Sequence, residues 1–166
     1  MATSMEDLKV LQVAETVADE IWREVLRWES FARDIVGGQL VRATDSIGAN
    51  IAEAFGRFHY GEKLQFLYYA RGSLFETKYW LNRAQTRDLV DASLAEGYGS
   101  QLTALARQLN AFARSIKGQQ KRKSGPSNHM KETTAEYTPD LLVDPLLSEE
   151  ELARLATLQS PISNLQ

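Results

Sequence analysis

Between Leu11 and Ile116 the apolar residues recur at spacings of three and four, a rhythm that admits helices and little else. Leu11, Ala14, Ala18, Ile21, Val25 and Trp28 form one stripe on a helix of period 3.6. A second stripe runs through Leu40, Thr44, Ile47, Ile51, Ala54 and Phe58. A third uses Leu64, Leu67, Ala70, Leu74, Thr77, Leu81 and Ala84, and a fourth uses Leu94, Tyr98, Leu102, Leu105, Leu109, Phe112 and Ile116. Trp28-Glu29-Ser30 reads as a turn with Ser30 as the next N-cap, and Tyr60-Gly61 as a break. Gly37 and Gly38 each weaken a helix by about 1 kcal/mol relative to Ala, which leaves the start of the second helix open. The fourth helix opens either on the capping-box pair Ser93 and Glu96 or on Asp91.

Helices of about 24 residues span about 36 Å, and short turns between them force antiparallel packing to hide the stripes. No alternating strand pattern occurs. The expected fold is therefore all-α, an up-and-down antiparallel four-helix bundle over residues 1–118. Beyond it, Gly118 to His129 holds too few apolar residues to offset the entropy of ordering, so residues 119–147 read as a largely disordered linker. Ser148-Glu149-Glu150-Glu151 repeats the capping-box pattern ahead of Leu152, Leu155 and Leu158, which predicts a short amphipathic helix in 148–166. Leu141, Leu142, Leu146 and Leu147 precede it. This greasy edge either straps back onto its own bundle or docks on a partner.

The net charge of −3 conceals an uneven distribution. Residues 1–131 carry +3 and residues 132–166 carry −6. Residues 97–123 hold Arg107, Arg114, Lys117, Lys121, Arg122 and Lys123 with no carboxylate among them, a run that can face an anion. Arg107 and Arg114 lie two residues past the core positions Leu105 and Phe112, about 200° round a helix, and so project outward. These six cations are the candidate nucleic-acid-binding residues. The bland alternative is a solvated face balanced by the acidic first helix.

Several chemistries find no footing. Without cysteine there are no disulfides, thiolate zinc sites or cysteine nucleophiles. Glu-x-x-His pairs, which a di-metal bundle uses, do not occur. Glu53, Glu62 and Glu76 could in principle converge on one ion, but carboxylates at helix flanks are more often paired with Arg or solvated. Arg57-Phe58-His59 is too closely spaced for the Arg and His pair of helical nucleases, and Arg122 with His129 reaches that spacing only across the Gly-Pro segment. No triad or phosphate-cradling loop can be assembled. The expectation is no enzyme, no cofactor and no metal. No signal-peptide pattern and no apolar run of about 18 residues leads to the expectation of a cytoplasmic protein with no membrane partner.

Ser46, Asn50, Glu53 and Arg57 sit at i, i+4, i+7 and i+11, a polar row about 100° from the second core stripe. With Gly48, Ala49, Ala52 and Ala54 beside it, the row reads as a polar seam that fixes helix register or a subunit contact, Glu53 and Arg57 having the order that favours an ion pair. At this point a family comes into view. Gln39-Leu40-Val41-Arg42-Ala43, Ser46-Ile47, Asn50-Ile51-Ala52-Glu53, Phe55-Gly56-Arg57, Glu62, Phe66-Leu67, Ala70-Arg71-Gly72-Ser73 and Glu76 resemble the four-helix-bundle proteins encoded in intervening sequences of bacterial 23S rRNA genes. The accessory variability protein of diversity-generating retroelements belongs to the same structural group. The resemblance covers about residues 5–118; Gly48 stands where proline is common and Ala54 where glycine is common.

The resemblance implies a homopentamer of four-helix protomers and, by the retroelement relative, binding of RNA and a protein through basic surface. It also implies that Arg71 and Glu76 join the polar seam. The leading expectation is a non-enzymatic homo-oligomeric scaffold that binds RNA or DNA through the basic face of its fourth helix. The alternative is a protein-protein adaptor whose tail, with Leu141, Leu142, Leu146, Leu147, Leu152, Leu155 and Leu158, docks on a partner.

Overall fold

The computed structural model describes residues 4, 5, 7–123 and 145–157, with the side chains of 121–123 left aside. Four long helical segments close into a ring. The first, α1, spans Lys9–Val25. A short helix α2, Ser30–Ala32, enters a π-helical turn, Arg33–Gly37, that continues without a break into α3, Gly38–Gly56. Next come α4, Tyr60–Thr86, and α5, Ala92–Lys123. A last helix, α6, spans Glu149–Ala156. In this ring α3 packs on α1 and α4, α5 packs on α4 and α1, and α6 lies on α5. Among the described residues there is no strand, and no helix is long and apolar enough to cross a membrane.

The four stripes make the core. Leu11, Ile21, Leu40, Ile47, Ile51, Leu67, Leu74, Leu81, Leu102, Leu105 and Leu109 are all buried. One stripe member leaves the core. Phe58 is 88% exposed, because α3 stops at Gly56 and Arg57 turns extended (φ −71°, ψ 145°), which ends the helical rotation that would have carried Phe58 inward. Ser30 is not a cap but the first residue of α2; Glu29 holds the cap position and no side chain caps there. Gly37 and Gly38 do not interrupt the helix. A Cβ on Gly37 would lie 2.4 Å from Val25 Cγ1, so the glycine admits the end of α1 against the π turn.

Helix ends follow local chemistry. Asp91 caps α5, its Oδ1 accepting from Leu94 N–H at 2.7 Å. Asp88 closes the α4–α5 turn at φ 56°, a left-handed conformation that aspartate tolerates better than most residues, and Leu89 N–H donates back to Ala84 at 3.0 Å. Helix α5 runs on past Gly118, where the composition changes, to Lys123. The α1–α5 seam is polar at one point: Gln101 Nε2 donates to Glu20 at 2.7 Å and the Tyr98 hydroxyl to the Glu20 carbonyl at 3.4 Å. Burial, then the Glu24 and Glu20 carboxylates, push that phenol up to about 12.

Candidate functional site

On α5, Arg107 and Arg114 project outward and are exposed, while Leu105, Leu109 and Ala113 face the core. Lys117 is half-buried one turn on. Lys121, Arg122 and Lys123 occupy the last turn of the helix, and their side chains lie outside the described ones. Because 97–123 has no carboxylate, any acidic partner must come from elsewhere in the chain. One does: Glu149 lies 3.5 Å from Arg107 across 42 residues of sequence.

That carboxylate arrives on residues 145–157 of the acidic segment, which lie along the α4–α5 groove. Ser148 caps α6 in a full capping box, its hydroxyl accepting from Glu151 N–H at 3.2 Å while Glu151 accepts from Ser148 N–H at 2.9 Å. Leu146, Leu147, Leu152 and Leu155 are buried in the bundle's own core. Asn110, only 5% exposed, grips the segment's backbone with both ends of its amide: Nδ2 donates to Leu147 C=O at 2.8 Å and Oδ1 accepts from Leu147 N–H at 2.7 Å. Leu141, Leu142 and Leu158 lie outside the described residues.

Cations of α4 complete the clamp. Arg71 pairs with Glu151, and Lys78 donates to the carbonyl of Thr157 where α6 ends. At Gly99 the two backbones nearly touch, since a Cβ there would meet Ala156 O at 2.9 Å and Leu155 O at 3.3 Å. Burial alone raises the Glu151 carboxyl, but hydrogen bonds from Ser148 and Arg71, with the Arg71 charge, outweigh it and hold the group below the usual range. Burial lowers the Lys78 ammonium. The arrangement is a strap: apolar anchors underneath, a backbone clamp at its start and ion pairs along its edge.

The row Ser46, Asn50, Glu53 and Arg57 lies along α3. Ser46 donates to Arg42 C=O at 2.7 Å, and Asn50 Nδ2 donates to Ser46 C=O at 2.7 Å, both within the helix. Glu53 pairs with Arg57, and Arg57 also reaches α4, its guanidinium 4.6 Å from the centre of the Phe66 ring. Arg71 sits a different way round, over Phe75 at 5.2 Å and toward α6. Glu62 and Glu76 are exposed on α4. Among the described residues no three His, Asp or Glu side chains gather closely enough to hold a metal ion.

The sequence does not point to Asn110, Lys78 or Gly99. Each earns its role from a segment at least 37 residues away, and nothing in its own neighbourhood marks it. No curated protein matches the chain. The family model of the 23S rRNA-intervening sequence protein matches residues 6–111, which takes in all of α1 to α4 and the Asn50, Glu53, Arg57 and Arg71 positions while leaving out the strap. By that match this chain belongs to the 23S rRNA-intervening sequence protein family.

Proposed function

We propose that the chain is a non-enzymatic homo-oligomeric scaffold of the cytoplasm, a pentamer as the family resemblance implies, that binds RNA or DNA through the outer face of α5. The observation that carries this reading is the carboxylate-free basic run of 97–123 laid along one 32-residue helix, with Arg107 and Arg114 exposed. Repeated round a ring of subunits, such a stripe presents many phosphate contacts at once, and binding of that kind weakens steeply with salt. It needs neither cofactor nor metal. Reversing Arg107, Arg114 and Lys117 to Glu abolishes retention on immobilised RNA and DNA at low salt while the helical content stays; unchanged retention overturns the reading.

The adaptor alternative meets an obstacle. Its anchors Leu146, Leu147, Leu152 and Leu155 are already spent on the chain's own groove, so a partner would first have to peel the strap away. The same acidic strap is a ready competitor for the stripe, because Glu149 already faces Arg107.

A further inference from the structure

The link between α3 and α4 holds the most exposed large apolar side chain among the described residues. Gly56 ends α3, and Arg57 (φ −71°, ψ 145°) and His59 (φ −83°, ψ 137°) are both extended, while the chain bends at Phe58 and His59, so residues 57–59 form a short bent link between the two helices. Phe58 stands out from it, 88% exposed, with the His59 ring edge-on at 5.3 Å. Beside the link, Arg57 lies over Phe66, Phe66 meets Tyr69 edge-on at 5.6 Å, and Tyr69 is 49% exposed. Lys63 reaches back to the Phe55 carbonyl at 3.1 Å, which keeps a second cation at the link. Glu53 is paired with Arg57, and Glu62 is an exposed carboxylate nearby.

The topology adds charge at this end. Lys78 and Gly99 both touch the end of α6, while Arg71 and Arg107 both reach its start. These pairs fix α4 and α5 as antiparallel neighbours, so the later turns of α5 head for the α3–α4 link. They carry Arg114, Lys117 and the basic residues at 121–123. An exposed flat ring next to cations, toward the end of a helix that carries no carboxylate over 97–123, is what a strand of unstacked bases requires: rings for the bases, positive charge for the phosphates. A partner helix would instead seek several aliphatic anchors in a groove, and the link offers the Phe58 and His59 rings.

We infer that the α3–α4 link is a stacking platform for an unpaired nucleobase, with Phe58 as the ring on which it lies, so that the nucleic acid taken by this chain is single-stranded. This rests on the α5 stripe as the phosphate-binding surface. The test uses the full chain and a 2-aminopurine-labelled RNA 12-mer, with the same sequence as a duplex for comparison. Binding of the single strand quenches the 2-aminopurine emission. The Phe58→Ala variant binds it about tenfold more weakly and loses the quenching, while its duplex binding is unchanged; Phe58→Trp restores both. Because Phe58 is so exposed, neither variant threatens the fold. If the wild-type chain binds RNA and Phe58→Ala binds it equally well, the stacking platform is wrong and the stripe stands. If the wild-type chain binds neither strand form, the stripe fails and takes the platform with it. If Phe58→Ala changes the native mass, the ring is a contact between copies of the chain and the inference is overturned.

Discussion

Gly37 owes its place to volume. Val25 ends α1 with a branched side chain that has one preferred rotamer in a helix, and its Cγ1 occupies the space a Cβ on Gly37 would need, 2.4 Å away. The next residue makes a natural control, since a Cβ on Gly38 would have only Arg33 O near, at 3.9 Å. Gly38→Ala therefore stabilises by up to about 1 kcal/mol through helix propensity, whereas Gly37→Ala destabilises by a net of about 1–2 kcal/mol as overpacking outweighs the same gain. Denaturant unfolding of the two variants gives opposite signs. Asn110 is a residue of the same kind, defined by what comes to it. With Asn110→Ala the Leu147 N–H and C=O lose both partners at a buried site, at a cost of about 1–3 kcal/mol. Hydrogen exchange then shows the α6 amides losing protection while those of α3 and α4 keep theirs.

At the scale of elements, the stripes were legible because helical periodicity is written within a dozen residues. Leu64 to Ala84 and Leu94 to Ile116 need no knowledge of their neighbours to be found. Phe58 departs from its stripe because the pattern continues in sequence after the helix has stopped in space, at the extended Arg57. The start of the second helix is not legible at Gly37 because a glycine that admits the close approach of Val25 looks, in sequence alone, like a helix breaker. The outward direction of Arg107 and Arg114 followed from spacing; the Glu149 that meets Arg107 did not, since register between α5 and α6 depends on a groove that exists only once the bundle forms. The α6 helix, eight residues long, is too short to persist alone, and its hold on the groove depends on pH through Glu151. The sign follows from the depressed carboxyl. The unfolded strap titrates near the ordinary value of 4.5 and the docked strap below it, so the contribution to docking is full above 4.5 and is lost as pH falls through the docked value. Amide shifts of Leu152 and Leu155, followed from about pH 6 to about pH 3, move toward coil values at the acid end. In Glu151→Gln the same shifts stay flat through that window.

Over the whole molecule the chain divides into a basic body and an acidic strap that lies against it, and charge sets how far one can obstruct the other. The Arg107–Glu149 pair is open to water on both sides, with side chains 59% and 80% exposed, and such a pair contributes about 0–1 kcal/mol. Neutralising it with Glu149→Gln frees one cation and tightens RNA binding by no more than about fivefold. Releasing the whole strap through Asn110→Ala does more. It frees Arg71 and Lys78 as well, and it removes three consecutive carboxylates, Glu149, Glu150 and Glu151, from within reach of the stripe. The order of affinities for RNA at low salt is then Asn110→Ala above Glu149→Gln above wild type. The differences shrink as ionic strength rises, because the Debye length falls to about 8 Å at physiological salt. Each freed cation that gains a phosphate also steepens the plot of log affinity against log salt by somewhat under one, so Asn110→Ala has the steepest slope of the three. Equal affinities and equal slopes in all three proteins would mean that the strap only closes the bundle and leaves the stripe unguarded.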